Sequence, residues 1–153
     1  METEHVIREL IAKSCMSLER SDYKGYLDLS GQIFRYRITA SIPEIRKDMT
    51  WLDKNKRGMK DLFDLLPKQN MDRTPLTRHF SIFMVEQQAA DTWKVTSSLQ
   101  IFRTESQGGT TSLVAVGKYI DEISLQENGR FALVDREVRL DTRMLGKGYH
   151  VPF

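Results

Sequence analysis

Cysteine is almost missing from this chain: Cys15 stands alone among 153 residues. A single thiol excludes an intrachain disulfide, fits a reducing compartment such as the cytoplasm, and cannot supply the paired cysteines of an iron–sulfur centre. Its place on a helical stripe, with no histidine nearby in sequence, favours core packing over nucleophilicity. Histidine is scarce too, with His5, His79 and His150 set far apart. A zinc site would need them to converge from remote segments, and an iron site of two histidines and a carboxylate would need two of them. There is no glycine-rich phosphate loop, because Gly108-Gly109 falls between predicted strands rather than before a helix. No apolar run approaches the roughly 20 residues of a membrane span. The opening METEHVIREL lacks a basic region followed by an apolar core, so no leader is expected. Nor does charge of one sign dominate: 23 Lys and Arg stand against 21 Asp and Glu, a net +2 with no long blocks. Neither a nucleic acid nor a membrane surface is an expected partner on that basis. Without a repeat or a linker, residues 1–153 read as one domain, long enough to bury a substantial core.

What is present is order of two kinds. Val6, Ile7, Leu10, Ile11, Cys15 and Leu18 recur at helical spacing and predict a helix over about Glu4–Glu19. Ser21 is placed to cap a short second helix carrying Tyr23, Tyr26 and Leu27. From Gln32 to Ala40 the period changes to two, with Phe34, Tyr36, Ile38 and Ala40 on one face. Ser41–Leu52 has no clean period and reads as a structured loop, and Asp53 is a candidate cap for a third helix. Met59, Leu62, Phe63 and Leu66 would line that helix, and Pro67 would stop it. The second half reads as four strands, Leu76–Gln87, Thr92–Glu105, Thr110–Gln126 and Phe131–Arg143. Each is about twice the usual five or six residues. Asn128-Gly129 predicts a two-residue hairpin between the last two. The order α-α-β-α-β-β-β-β implies an α+β domain with helices covering one face of a curved, mostly antiparallel sheet, a cone.

Such a cone can hold a ligand or dock a subunit, and the residues leave both open. Thr77, His79, Ser81, Phe83 and Val85 share a predicted face. If that face is concave, His79 would meet Tyr36 and Asp121, and the three could do acid–base work in a dehydratase, isomerase or cyclase. The bland alternative is a hydrogen-bonded structural histidine. Arg103, Asp135, Glu137, Arg139, Asp141 and Arg143 place charge at alternate strand positions, as a solvated face would, or a charged subunit interface. Arg78, Arg103 and Arg143 are candidate interface residues because they sit beside apolar neighbours on long strands. Trp51 and Trp93 read as packing or interface anchors. The tail Gly146–Phe153 ends too apolar to stay in water, so Phe153 is expected to dock on a neighbour or on its own sheet.

Several motifs in order carry a family likeness. They are Leu18-Glu19-Arg20 with Asp22-Tyr23, Phe34-Arg35-Tyr36-Arg37, Thr77-Arg78-His79 and Ile101-Phe102-Arg103-Thr104. Val116-Gly117-Lys118-Tyr119-Ile120-Asp121 and the run Val138–Leu145 complete the set. Over nearly its whole length the chain resembles the small (beta) subunit of aromatic-ring-hydroxylating dioxygenases, which are Rieske non-haem iron oxygenases. That subunit has a cystatin-like, nuclear-transport-factor-2-like fold. The loop Ser41–Met49 is more similar to a subgroup that includes the small subunit of methanesulfonate monooxygenase. The resemblance implies a structural, non-catalytic chain with no cofactor of its own. It implies a catalytic alpha subunit that holds the Rieske iron–sulfur cluster and a mononuclear iron, self-association as a trimer, and a place in aromatic compound catabolism.

Overall fold

In the computed structural model, which describes residues 2–69, 75–142 and 152–153, three helices lie against one six-stranded sheet. Helix α1 (Glu2–Glu19) turns Ile7, Leu10, Ile11, Cys15 and Leu18 inward, as their spacing predicts, while Val6, expected on the same stripe, is exposed. Helix α2 (Tyr23–Asp28) is capped by Asp22, whose Oδ1 accepts the Gly25 N–H at 2.9 Å. Ser21, the expected cap, instead takes a left-handed φ of 55° and turns the chain between the two helices. Tyr23 stacks on Phe63 of α3 (Lys56–Gln69) with centroids 4.6 Å apart, which fixes α2 against the third helix.

Strand β1 (Ser30–Ile42) buries Phe34, Tyr36, Ile38 and Ala40, as its alternation predicts. The expected loop after it is a correction. Pro43–Ile45 makes one 3-10 turn, Arg46 takes a left-handed φ of 53°, and Lys47–Asn55 returns as β2, antiparallel to β1. Strand β2 forms the sheet edge, and only Trp51 and Leu52 are half-buried. An edge strand open on both faces has no reason to alternate apolar with polar residues, so it leaves no period to read. Asp53 accordingly lies within β2, and Asn55 caps α3 by accepting the Gly58 N–H at 2.8 Å. Helix α3 buries Met59, Phe63 and Leu66 and continues past Pro67 to Gln69, because a proline in the last turn removes a single intrahelical bond.

Strands β3 (Leu76–Ala89), β4 (Thr92–Thr104), β5 (Thr111–Leu125) and β6 (Phe131–Leu140) form the expected meander. The sheet order is β2-β1-β6-β5-β4-β3, with β1 parallel to β6 and every other neighbour antiparallel. Register shifts at Ile38/Thr39, Ile82/Met84, Ile101/Phe102 and Glu122/Ile123 bend the long strands. The β5–β6 turn also differs from the expected two-residue form. Glu127, Asn128 and Gly129 close it, with Gln126 N–H donating to Arg130 O at 2.8 Å and only Gly129 at positive φ. A two-residue type I′ turn would need Asn128 left-handed as well.

The outer face of β2, β1 and β6 carries a lattice of ion pairs. Arg35 grips Asp53 through two bonds of 3.1 and 2.8 Å, Arg37 meets Asp135 at 2.9 Å, and Arg139 bridges Glu137 and Asp48. Part of the alternating charge is thus used within the sheet. Hydrogen bonds from Arg139 and Arg35 hold the Asp48 and Asp53 carboxyls below their ordinary value. A depressed folded pKa contributes stability above the ordinary carboxylate range, and that stability is lost as pH falls through the folded value. The melting temperature should therefore fall below about pH 4. The double variant Asp48→Asn, Asp53→Asn should show a shallower fall in melts from pH 7 to 3, and an unchanged slope would show the pairs contribute nothing. High salt should flatten the same slope, because both carboxylates are solvent-exposed.

Candidate functional site

Strand pairing places Tyr36 opposite Arg136 and Arg136 opposite Asp121, in one row across the inner face. Arg136 and Asp121 are fully buried and join in two bonds, Nε to Oδ1 at 2.8 Å and Nη2 to Oδ2 at 3.0 Å. The guanidinium lies 4.0 Å over the Tyr119 ring, and its Nη1 reaches the Tyr26 hydroxyl at 3.5 Å. Burying a charge is costly unless it is paired and hydrogen-bonded, and here both partners are. Burial works against the Arg136 charge, but Asp121 and Tyr26 hold its pKa well above the ordinary value. Burial likewise pushes the Asp121 carboxyl upward against the pull of Arg136. Two-pronged contact with both oxygens engaged is that of a carboxylate.

The neighbouring hydroxyls and thiol follow the same physics. Burial raises Tyr26, Tyr36, Tyr119 and Cys15. A catalytic acid or base needs a pKa near the working pH, and each of these moves away from it. Cys15 lies 4.0 Å from the Tyr119 hydroxyl, in the core as its stripe position predicts. Met59, Phe63 and Phe153 occupy the same core as these polar groups. Recesses of about 940 and 350 Å³ lie elsewhere, one beside Ile33, Arg35 and Lys56, the other between Leu10 of α1 and Phe131. Neither is lined by Tyr36, Asp121 or His79. Among the described residues no group of three or more His, Cys, Asp or Glu is placed to hold a metal ion.

The structure does not bring His79, Tyr36 and Asp121 together. His79 is exposed on the outer face, edge-on to Phe102 with centroids 5.3 Å apart, while Tyr36 and Asp121 lie inside. The inward residues of early β3 are Arg78, Phe80 and Ile82. The register shift at Ile82/Met84 then swaps the faces, so Val85 packs inward although it shares His79's parity. Phe83 and Val85 suggested an inward face for His79 because a bulge is invisible in the alternation.

Arg78 is the other correction. It is buried, and its partners lie within the chain: backbone N–H to Glu19 Oε1 at 2.7 Å, Nη1 to the same oxygen at 3.3 Å, and Nη2 to Pro152 O at 2.8 Å. A side chain so enclosed is not a free interface arginine. Phe153 is 1 % exposed and its main-chain oxygen accepts the Tyr119 hydroxyl at 2.5 Å, so it docks on its own sheet rather than on a neighbour. Trp93 packs edge-on to Phe131 in the core. Trp51 is half-buried on the edge strand with its indole N–H against Met49 Sδ. Arg103 lies 3.4 Å from Glu105, and Arg143 lies outside the described residues. The Asp121–Arg136 pair went unforeseen, although the motif ending in Asp121 pointed at half of it.

The family model described as the ring hydroxylating beta subunit matches residues 14–147. The beta subunit of the methanesulfonate monooxygenase hydroxylase of Methylosulfonomonas methylovora is 36% identical over 156 residues, covering 95% of this chain and 84% of its own length. The beta subunit of 2-aminobenzenesulfonate 2,3-dioxygenase from Alcaligenes sp. is 30% identical over 146 residues, covering 95% and 96%. Among solved structures, a chain described as the beta subunit of an aromatic-ring-hydroxylating dioxygenase from Novosphingobium aromaticivorans superposes with a TM-score of 0.84 at 18% identity, covering 99% and 97%. At that identity the likeness speaks for the fold, and it agrees with the α+β class read from the element order and with the cystatin-like fold that the resemblance implied. The loop that resembled the methanesulfonate subgroup agrees with the first of these relatives.

Proposed function

This chain belongs to the ring hydroxylating beta subunit family, and on that premise we propose that it is a single-domain, cytoplasmic, structural subunit of a Rieske-type oxygenase. The match across residues 14–147 carries the reading. In this proposal the catalytic alpha subunit holds the iron–sulfur cluster and the mononuclear iron, and this chain supports its assembly as part of a trimer of beta subunits. Both curated relatives act on sulfonates by name, one aliphatic and one aromatic, so a sulfonated or aromatic compound is the proposed substrate class of the holoenzyme. The interior fits a supporting role, since Asp121 and Arg136 satisfy each other in two bonds and burial moves the Cys15, Tyr26, Tyr36 and Tyr119 protons away from the working pH.

Contact with other subunits then falls to outward residues. Leu113 is 54% exposed and stands opposite Phe102, which packs on His79, so these strands carry an apolar patch beside Arg103. Exposed apolar patches mark interfaces. With Arg78 and Phe153 turned inward, Arg103 and Trp51 remain the proposed polar and aromatic contacts, and Arg143, outside the described residues, is proposed on the sequence alone. Co-expression with a large subunit of the same oxygenase family should yield one hetero-oligomer with iron–sulfur absorbance, and a species that never co-purifies with an iron–sulfur protein would overturn the reading. Leu113→Asp should weaken that assembly at least tenfold, about 1.4 kcal/mol, while leaving the melt of the isolated chain unchanged. A lowered melt with normal assembly would show Leu113 serves the fold alone.

A further inference from the structure

Pro152 and Phe153 sit inside the cone as a ligand would. The Phe153 ring is buried in the core that also holds Tyr36 and Tyr119. The main-chain oxygens of the two residues are held by donors from separate strands, Arg78 Nη2 at 2.8 Å and the Tyr119 hydroxyl at 2.5 Å. Two further donors are left over. Arg78 Nε is buried without a hydrogen-bond partner, and the Tyr36 hydroxyl, which faces the Phe153 backbone, has no acceptor for its own proton. A guanidinium offers Nε–H and Nη2–H as a parallel fork that matches the two oxygens of an acid. A peptide carbonyl fills one prong of that fork and leaves the other empty. Glu19 accepts from Nη1 and is itself partly solvent-exposed, so it leaves Nε unused.

We propose that the pocket around Arg78, Tyr119 and Tyr36 is a binding site for a small aromatic carboxylate, and that Pro152–Phe153 is its built-in occupant. The acid's ring takes the space of the Phe153 ring, its two oxygens take Arg78 Nε and Nη2 by displacing the Pro152 carbonyl that the ring anchors there, and the tyrosine hydroxyls turn from the chain to the acid. This goes beyond the assembly role and does not depend on it.

Thermal melts of the full chain test the proposal, with 3-phenylpropionate as probe and 3-phenylpropanol as the uncharged control. Phe153→Ala should melt below the unsubstituted chain, and the acid should restore several degrees in a saturable way. The alcohol should restore little. The unsubstituted chain, its pocket filled, should barely respond. Adding Arg78→Lys to Phe153→Ala keeps the charge, removes the fork, and should abolish the acid's effect. Equal shifts with and without Phe153, equal shifts from acid and alcohol, persistence with Arg78→Lys, or no shift at all would each overturn the site. If Phe153→Ala fails to fold, Phe153→Val opens a smaller space in which benzoate replaces phenylpropionate, with the same outcomes read the same way.

Discussion

Asp121→Ala is expected to cost this chain about 3–5 kcal/mol, because it leaves the Arg136 guanidinium buried without a counter-charge. Among the groups seen around it, Arg136 would keep only a 3.5 Å contact to Tyr26 and the face of the Tyr119 ring. Neither carries charge, and water has no access to a side chain that is 0% exposed. Since a domain is stable by about 5–15 kcal/mol in total, the variant should be largely unfolded or melt far earlier. The double variant Asp121→Ala, Arg136→Met removes both charges and should recover most of the loss, as apolar replacement of buried pairs often does. Denaturant unfolding of the four species closes the cycle and gives a coupling of several kcal/mol. A single-variant loss under about 1 kcal/mol would mean the pair is already well hydrated. The double variant carries a functional consequence too. If the pair serves only the fold, the double variant should support both assembly and turnover of the proposed oxygenase, whereas a catalytic role would leave assembly intact and turnover abolished.

The outline of this fold was legible because its strands are long and the helices bury one face of the sheet they form. Phe34, Tyr36 and Ile38 alternate because one face of β1 meets the core, and that period survives any detail of the neighbours. Strand β2 was hidden for the converse reason, since an edge strand exposed on both faces has nothing to alternate. The site suffered from bulges. Pairing outward from the β5–β6 turn runs Leu125 to Phe131, Ser124 to Ala132 and Ile123 to Leu133. Continued without interruption, that register would set Asp121 opposite Asp135, two like charges. The shift at Glu122/Ile123 sets it opposite Arg136 instead. A single extra residue in one strand decides whether the interior holds an ion pair or a clash, and alternation cannot report it. The same kind of shift in β3 put His79 outside and Arg78 inside. Phe153 was legible only as apolar; whether it met its own sheet or another subunit depended on donors from β3 and β5 that meet only after folding.

Gly117→Ala should destabilise the chain by about 3 kcal/mol, at the top of the range for overpacking. Gly117 opens the stretch Gly117-Lys118-Tyr119-Ile120-Asp121, whose odd positions face inward, and it stands between Leu99 of β4 and Leu140 of β6. A Cβ placed there would lie 2.2 Å from the Arg139 carbonyl oxygen and 2.8 Å from the Leu140 Cα. Those are backbone atoms of the adjoining strand, so no side chain can rotate away to make room. Strands β5 and β6 must separate instead, and the bonds beside them go first: Asp141 N–H to Val116 O at 2.8 Å and Val116 N–H to Thr142 Oγ1 at 2.8 Å. Gly108 supplies the control. It has a φ of 81° and nothing within 4 Å of its would-be Cβ, so Gly108→Ala meets backbone strain of about 1–2 kcal/mol without any collision. Gly117 has no left-handed φ to defend, which makes its requirement purely one of space. If denaturant unfolding ranks Gly108→Ala as the more damaging of the two, β6 can yield by the missing ångström and Gly117 is not what holds Tyr119 and Asp121 in register.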